Sequence, residues 1–394
     1  MLSTPQAFGQ LTVCFWDPSD GSLPDDSWYS LVLVGFEGTQ MAGIVILVKE
    51  TDPAPDNPLL CAPVRFDQLG DMAWRPVAPD GYLALSDVFE PEGGDPNSCG
   101  DARWCMCVKE GPWSDGHTYV STNAPVEGEC GPYGGWRIAV PQYTGDPDGI
   151  LLTTDGAFVY SPDAAPVDTP VQNLLNLPPV LVSGSPPAPP TMDSYDEPVG
   201  QTVPSIDRTV LVPFIAIQDG TGIEWQLANS PYYTVIRKRS YTLGLYGNNQ
   251  GDSTQTQSHA YTYGVSSSES QTFSTSVGVT VGFEGGVDIF FAEAKVSTSL
   301  SVNLGYASST SVTDMESETI TQNLVIEPMT AGAMYNETHT IDVHRQDGSS
   351  ASVTGPLTFQ AYTSVYYVSY DGSGSQQRRE PVRPHEPSLP LPGI

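Results

Sequence analysis

At 394 residues the chain is long enough for two domains, and 46 Asp and Glu against 15 Lys and Arg give it a formal net charge of −31. That balance excludes a nucleic-acid partner, which needs a basic surface, and simple electrostatic attraction to anionic lipid. With 38 Gly, 36 Pro, frequent Tyr and no sustained helical periodicity, the composition predicts an all-β fold. The expected architecture is a compact head of pseudo-repeats followed by an elongated antiparallel domain.

The first ten residues lack both the basic start and the apolar core of a secretory signal, so the chain reads as soluble in its producer without a recognisable signal peptide. Residues 31–48 are the most apolar stretch, but Glu37, Gly38 and Gln40 interrupt them, which predicts two buried strands in place of a membrane helix. A chain without a helical span enters a bilayer only as part of a closed barrel. Six cysteines, Cys14, Cys61, Cys99, Cys105, Cys107 and Cys130, fall in the first third. Cys105 and Cys107 are too close, and too far from any His at finger spacing, for zinc; no metal and no cofactor are expected.

Residues 1–182 read as a β-rich head that binds a receptor. They hold a degenerate repeat. Trp74-Arg75-Pro76-Val77-Ala78-Pro79 leads into Asp80-Gly81-Tyr82-Leu83-Ala84-Leu85-Ser86-Asp87. Trp136-Arg137-Ile138-Ala139-Val140-Pro141 leads, after a short insertion, into Asp148-Gly149 and on to Thr154-Asp155. A weaker third echo starts at Phe15-Trp16-Asp17. Such repeats build pseudo-symmetric folds in which each copy buries a face on the next, with the Trp residues as core wedges or as ligand platforms. Ala73-Trp74-Arg75-Pro76-Val77, Gly81 to Val88, Trp104-Cys105-Met106-Cys107-Val108 and Gly156-Ala157-Phe158-Val159 together resemble the vacuolar protein sorting-associated 62 family over about residues 62–182. The resemblance implies a three-lobed β-structure used for targeting, and no activity.

Residues 183–205 are Pro-rich, with Ser185-Pro186-Pro187-Ala188-Pro189-Pro190, and read as a spacer or a strap. The second domain is expected over 206–370. It opens with strands near 207–218 and 230–249, the latter carrying the cationic run Arg237-Lys238-Arg239, which would pair with a neighbouring protomer or within its own sheet.

The stretch 272–306 alternates most strictly. Phe273, Thr275, Val277, Val279, Val281 and Phe283 take every second place in one arm; Val296, Thr298, Leu300, Val302, Leu304 and Tyr306 do so in the other. Folded as a hairpin, the arms pair Val277 with Val302, Val279 with Leu300 and Phe283 with Val296. Each arm spans eleven residues, matching the ~9–11 that a tilted strand needs to cross a bilayer. Phe273, Val277, Val279, Val281, Phe283, Val296, Leu300, Val302, Leu304 and Tyr306 would then face lipid. Ser274, Ser276, Thr280, Glu284, Lys295, Ser297, Ser299, Ser301 and Asn303 would line a lumen, and Val287, Asp288, Ile289, Phe290 and Phe291 would form the tip that crosses. The same alternation also describes half-buried strands of a soluble sandwich.

Long Ser/Thr-rich strands around an amphipathic hairpin resemble the aerolysin-like and epsilon-toxin-like β-pore-forming toxins over residues 206–370. The resemblance implies a bacterial toxin, of insecticidal type, acting extracellularly. It would bind a glycan, lipid or protein receptor on a target-cell membrane, form a homo-oligomer and thread one hairpin per protomer into a barrel. Residues 371–394 are expected to be disordered, and by the same resemblance a cut at Arg378-Arg379 would license assembly. No enzyme is expected: His117, His259, His339, His344 and His385 form no catalytic arrangement, and no nucleophile elbow, zinc-protease helix or phosphate loop stands in context. The competing reading is a non-lytic, lectin-like adhesin whose hairpin stays in its sheet.

Overall fold

A computed structural model describes residues 2–382 apart from 18–24, 33–44, 91–93, 99–101, 123, 131–133, 139–149, 153–156, 215–216, 218, 267, 270–271, 274–278, 283–287, 292–295, 298–303 and 305–316. The described chain is nearly all antiparallel β, as the composition predicts. It groups into two compact units, and neither is continuous in sequence. The first takes in Met1–Val180, Val212–Tyr233 and Phe290–Ser299; the second takes in Leu181–Leu211, Thr234–Ile289 and Leu300–Ile394.

In the first unit, β1 (Gln6–Phe8), β2 (Leu11–Trp16), β3 (Tyr29–Ser30) and β4 (Val45–Glu50) form a sheet of order β1-β2-β4-β3. Its inner face buries Cys14, Trp16, Trp28, Val45 and Leu47. Three small sheets follow. β5 (Leu60–Cys61), β8 (Tyr82–Leu83) and β10 (Cys107–Lys109) are ordered β5-β10-β8; β6 (Arg65–Gln68), β7 (Ala73–Val77) and β9 (Val88–Phe89) are ordered β6-β7-β9. β12 (Val126–Cys130), β13 (Gly135–Ile138) and β15 (Phe158–Tyr160) are ordered β12-β13-β15.

The two copies of the repeat occupy equivalent places in two of these sheets. Each Trp strand is central, with Trp74 opposite Val88 and Trp136 opposite Val159. Each Arg lies opposite an acidic residue of the preceding strand, Arg75 opposite Asp67 and Arg137 opposite Glu127. The copies meet where Phe89 stacks on Phe158 at 4.3 Å and the Phe158 amide donates to the Ser86 hydroxyl at 3.0 Å. Asp87, buried, closes the joint: it accepts two 2.8 Å bonds from Arg75 and one of 2.7 Å from the Tyr160 amide. Trp74 is a core wedge, packed on Val88 and Cys105. The echo at Phe15-Trp16-Asp17 falls in the four-stranded sheet and does not share this arrangement. Asp148, Gly149 and Asp155 lie outside the described residues, as does Cys99. Cys14, Cys61 and Cys107 are free thiols, and burial pushes Cys14 and Cys107 up to about 12.

A last sheet of the first unit orders β11 (Val120–Thr122), β14 (Ile150–Leu152), β16 (Asn173–Leu177) and β23 (Val296–Ser297) as β11-β16-β14-β23. Residues 212–233, expected in the second domain, belong here because their aromatics do. Phe214 meets Phe15 edge-on at 5.0 Å, Tyr232 packs on Phe8 and Phe15, and its hydroxyl donates to the Val13 carbonyl at 2.9 Å. Between them runs α1 (Ile223–Asn229), one short helix.

The second unit is built on a six-stranded sheet. β17 (Leu181–Ser183), β18 (Ser205–Pro213), β19 (Tyr232–Asn249), β25 (Thr330–His344), β26 (Leu357–Tyr370) and β27 (Ser375–Glu380) follow the order β17-β18-β19-β25-β26-β27. β19 and β25 stay paired from Thr234 opposite His344 to Asn249 opposite Thr330, with a bulge at Gly244. Gly244 is dictated by space: a β-carbon there would stand 2.6 Å from the Tyr261 hydroxyl. The Pro-rich residues 183–205 are a strap and not a free spacer. The Thr202 amide donates to the Tyr241 carbonyl, the Tyr335 hydroxyl donates to the Val199 carbonyl, and Met192 is buried against Tyr241 and Tyr335. The tail is also ordered further than expected, since β27 pairs with β26 from Tyr370–Ser375 to Val365–Glu380. Its six residues, Ser-Gln-Gln-Arg-Arg-Glu, bind through the backbone and show no side-chain period.

Arg237-Lys238-Arg239 serves its own sheet. Arg237 grips buried Asp207 with bonds of 2.9 and 2.7 Å; Arg239 lies 2.5 Å from Asp207 as an ion pair and donates to Glu337 at 2.8 Å. Lys238, on the opposite face, stands 3.9 Å from Asp342. Glu337 sits where the pairing of β25 with β26 is interrupted, and also meets His339 at 3.1 Å and the Ser364 hydroxyl at 3.4 Å. Burial holds the His339 imidazole below its ordinary value, and Arg237 and Arg239 add to this against Glu337. Removing one member of a buried pair strands the other charge at a cost of about 3–5 kcal/mol. Asp207→Ala is therefore expected to lower the stability of the second unit on that scale, read from the urea midpoint of the full chain.

Candidate membrane-insertion region

β20 (Gln255–Tyr263) and β24 (Glu318–Ile326) form a two-stranded ribbon that frames residues 264–317. Its register sets Gln255 opposite Ile326 and Tyr263 opposite Glu318. Alternation gives the ribbon two unlike faces. Tyr261, Tyr263, Leu324 and Ile326 are buried on Met334, Val365 and Val382. The other face exposes Thr256, Ser258, Ala260 and Thr262 beside Thr319, Thr321, Asn323 and Val325. Ser258 donates to Asn323 at 2.6 Å, and the hydroxyls of Thr262 and Thr319 meet at 3.2 Å.

The ribbon lies close to the sheet because the sheet offers glycines beneath it. A β-carbon on Gly247 would come within 2.3 Å of Ile326 Cδ1, and one on Gly332 within 3.5 Å of Ile326 Cγ1. The Tyr263 hydroxyl donates to Asn336 at 2.7 Å. The Tyr261 hydroxyl, over Gly244, has no hydrogen-bond partner among the described residues, and burial pushes it up to about 12.

Beyond Tyr263 the chain turns at Gly264 (φ 81°), whose amide donates to the Gln360 carbonyl at 2.8 Å. Ser268, Glu269, Thr272 and Phe273 are helical. Ser266 and Glu269 form a reciprocal cap: the Ser266 amide donates to the Glu269 carboxylate at 3.1 Å and the Glu269 amide to the Ser266 hydroxyl at 3.3 Å. The Thr272 hydroxyl donates one turn back to the Ser268 carbonyl at 2.7 Å. The first arm therefore does not begin as a strand at Phe273. The local signal was Ser266-Ser267-Ser268-Glu269, a capping box that strand alternation alone overlooks.

The rest of the predicted hairpin is paired differently here. β21 (Val279–Gly282) pairs with β22 (Asp288–Phe291), bringing Val279, Thr280 and Val281 beside Asp288, Ile289, Phe290 and Phe291. Val296 stands opposite Leu152, and Ser297 opposite Leu151, in the first unit's sheet. The expected partner of Val296, Phe283, lies outside the described residues. In this state one edge of β23 is taken up by β14. Phe273 and Leu304, the apolar residues of the hairpin whose side chains are described, are 2% and 0% exposed. Val277, Phe283, Leu300, Val302 and Tyr306 lie outside the described residues. So do Ser274, Ser276, Glu284, Val287, Lys295, Ser299, Ser301 and Asn303.

Arg378 and Arg379 are exposed but held in β27. Arg378 lies 5.0 Å over the Tyr367 ring, and Arg379 lies 5.3 Å over Tyr366 and donates to the Ser364 hydroxyl at 2.8 Å.

Residues 206–351, a little over a third of the chain, match the family described as "Insecticidal Crystal Toxin, P42". The match spans most of β18, all of β19 and β25, the ribbon and the segment it frames, and stops short of β26. The chain is also similar to the crystal structure of Cry35Ab1, at 13% identity and a TM-score of 0.32, covering 67% of this chain and 71% of that one. No curated protein matches.

Leaving a buried hydroxyl unpaired costs about 1–3 kcal/mol. Tyr261→Phe is expected to raise the thermal midpoint of the second unit by a few degrees, read by near-UV circular dichroism. Trypsin added in native buffer is expected to spare the bond after Arg379 and to cut it once urea melts β27, followed by mass spectrometry.

Proposed function

We propose that this protein is an insecticidal-type β-pore-forming toxin, in which residues 264–317 leave their present positions and line a barrel shared among several copies. The observation that carries this reading is the ribbon of β20 and β24, hydroxyl-rich on its exposed face and greasy on the other. It leads straight into and out of an amphipathic segment whose described apolar residues, Phe273 and Leu304, are covered. The family match over 206–351 supports the toxin part of the reading.

In the inserted state each arm would continue a ribbon strand. Val277, Val279, Val281, Leu300 and Val302 would face lipid while Ser276, Thr280, Ser299 and Ser301 faced water. A lone hairpin in hydrocarbon would leave its outer backbone groups unsatisfied at several kcal/mol each, so the copies must close a ring. The helical conformation of Ser268, Glu269, Thr272 and Phe273 and the pairing of Val296 with Leu152 would both have to be given up first. The second unit is thus read as an aerolysin-like pore module. The first is read as a receptor-seeking head of the vacuolar protein sorting-associated 62 type, its paired repeats supporting that assignment. Action is outside the producing cell and involves no catalysis.

A disulfide between β14 and the second arm tests this. Leu151→Cys with Ser297→Cys joins residues that are register partners. The double variant should release dye from vesicles of target-cell lipid only after reduction, while each single variant leaks as the parent does. Leakage from the locked form equal to that of the reduced form would overturn the proposal.

A further inference from the structure

β6 and β7 pair so that Arg65 stands opposite Val77 and Asp67 opposite Arg75. Alternation puts these four on one face and Phe66, Gln68, Trp74 and Pro76 on the other. The second face closes on the core, Phe66 packing against the cluster of Trp74, Val88 and Cys105. The first face opens on a cleft of about 350 Å³, walled on its far side by Tyr82, Leu83 and Pro170. That volume is within the ~300–1,000 Å³ of small-ligand sites.

The charges of this cleft are already matched. Arg65 donates from Nε and Nη2 to Asp67 at 2.7 and 3.2 Å, and Arg75 does the same to Asp87 at 2.8 Å twice. Two cations against two anions leave no net attraction for a charged ligand, and the −31 of the whole chain repels an anionic one. What remains is hydrogen-bonding capacity of both kinds, side by side. Each guanidinium has five N–H donors, two of them committed to its carboxylate, and Asp67 is half-exposed with acceptor sites to spare. Adjacent hydroxyls suit such a pair, one donating to the carboxylate while the other accepts from a guanidinium. The wall of Val77, Leu83, Pro170 and the Tyr82 ring suits the C–H face of a saturated ring. Tyr82 is presented there by a tight turn: its amide donates to the Pro79 carbonyl, and Gly81 supplies the positive φ of 81°.

We propose that this cleft binds a neutral pyranose, its hydroxyls held by Arg65, Asp67 and Arg75 and its ring laid on Tyr82 and Leu83. The site would give the head its receptor chemistry, and to that extent rests on the toxin reading; the binding itself does not.

Saturation-transfer NMR and calorimetry on the full-length protein test it. The probes are methyl α-D-mannopyranoside, methyl β-D-galactopyranoside, N-acetyl-D-glucosamine and, as an anionic sugar, N-acetylneuraminate. At least one neutral sugar should bind, more tightly than N-acetylneuraminate. Arg65→Ala and Asp67→Asn, both at exposed positions, should each weaken it about tenfold or more, the scale of losing a hydrogen bond to a charged group. Arg208→Ala, in the second unit, should leave binding unchanged. No binding of any neutral sugar, preference for the anionic one, or indifference to Arg65→Ala and Asp67→Asn would each overturn the proposal. No membrane is involved, so these outcomes are independent of the leakage result.

Discussion

A carboxylate held between two arginines fixes how the second unit is put together. Asp207 on β18 takes both charge-assisted bonds of Arg237 and the close approach of Arg239, while Arg239 reaches on to Glu337 of β25. Three adjacent strands are thereby tied by buried charge as well as by their ladders. Desolvating such groups is expensive, and the expense is offset only when every partner is in place. The arrangement thus specifies one register for β18, β19 and β25 more sharply than the hydroxyl-rich exterior of those strands could. Three of the fifteen Lys and Arg residues, Arg237, Lys238 and Arg239, are thereby paired with acids of this sheet.

On that rigid base sits a ribbon held by a small apolar footprint. Tyr261, Tyr263, Leu324 and Ile326 make its contact, the Tyr261 hydroxyl finds no partner among the described residues, and Ser258 with Asn323 and Thr262 with Thr319 bond across the outward face. Where it is described, the chain emerging from the ribbon shows a capped helical turn and brief strand pairs. Short elements with few tertiary contacts open at low cost. A segment that has to exchange its partners is well served by elements of this kind.

How much of this could be read from the residues differs by region. The all-β class and the two-copy repeat were legible, because Trp-Arg and the following Pro recur at the same spacing and the Trp strand of each copy is central in a three-stranded sheet. The face assignment of Arg237 and Arg239 follows from a period of two, but their partners stand 30 and 98 residues away and no local pattern announces them. Residues 212–233 were misplaced because burial of Phe214 and Tyr232 against Phe8 and Phe15 is a tertiary fact. β27 was missed because a wholly polar strand pairs through its backbone. In the candidate insertion region the alternation of 272–306 was plain, yet it describes a possible strand and says nothing of the partner present now. Only the Ser266–Glu269 cap was there to be seen.

The sheet beneath the ribbon carries Gly244, Gly247 and Gly332; a methyl group at the first two would push on Tyr261 and on the ends of the Ile326 and Gln257 side chains, and one at Gly332 would make ordinary contact. Inheritance is therefore constrained unevenly on the two sides of that thin layer. Descendants of this chain can rewrite the outer row of threonines and serines, and with it whatever that row meets, while a larger residue at Gly244 or Gly247 also demands that ribbon side chains above it move.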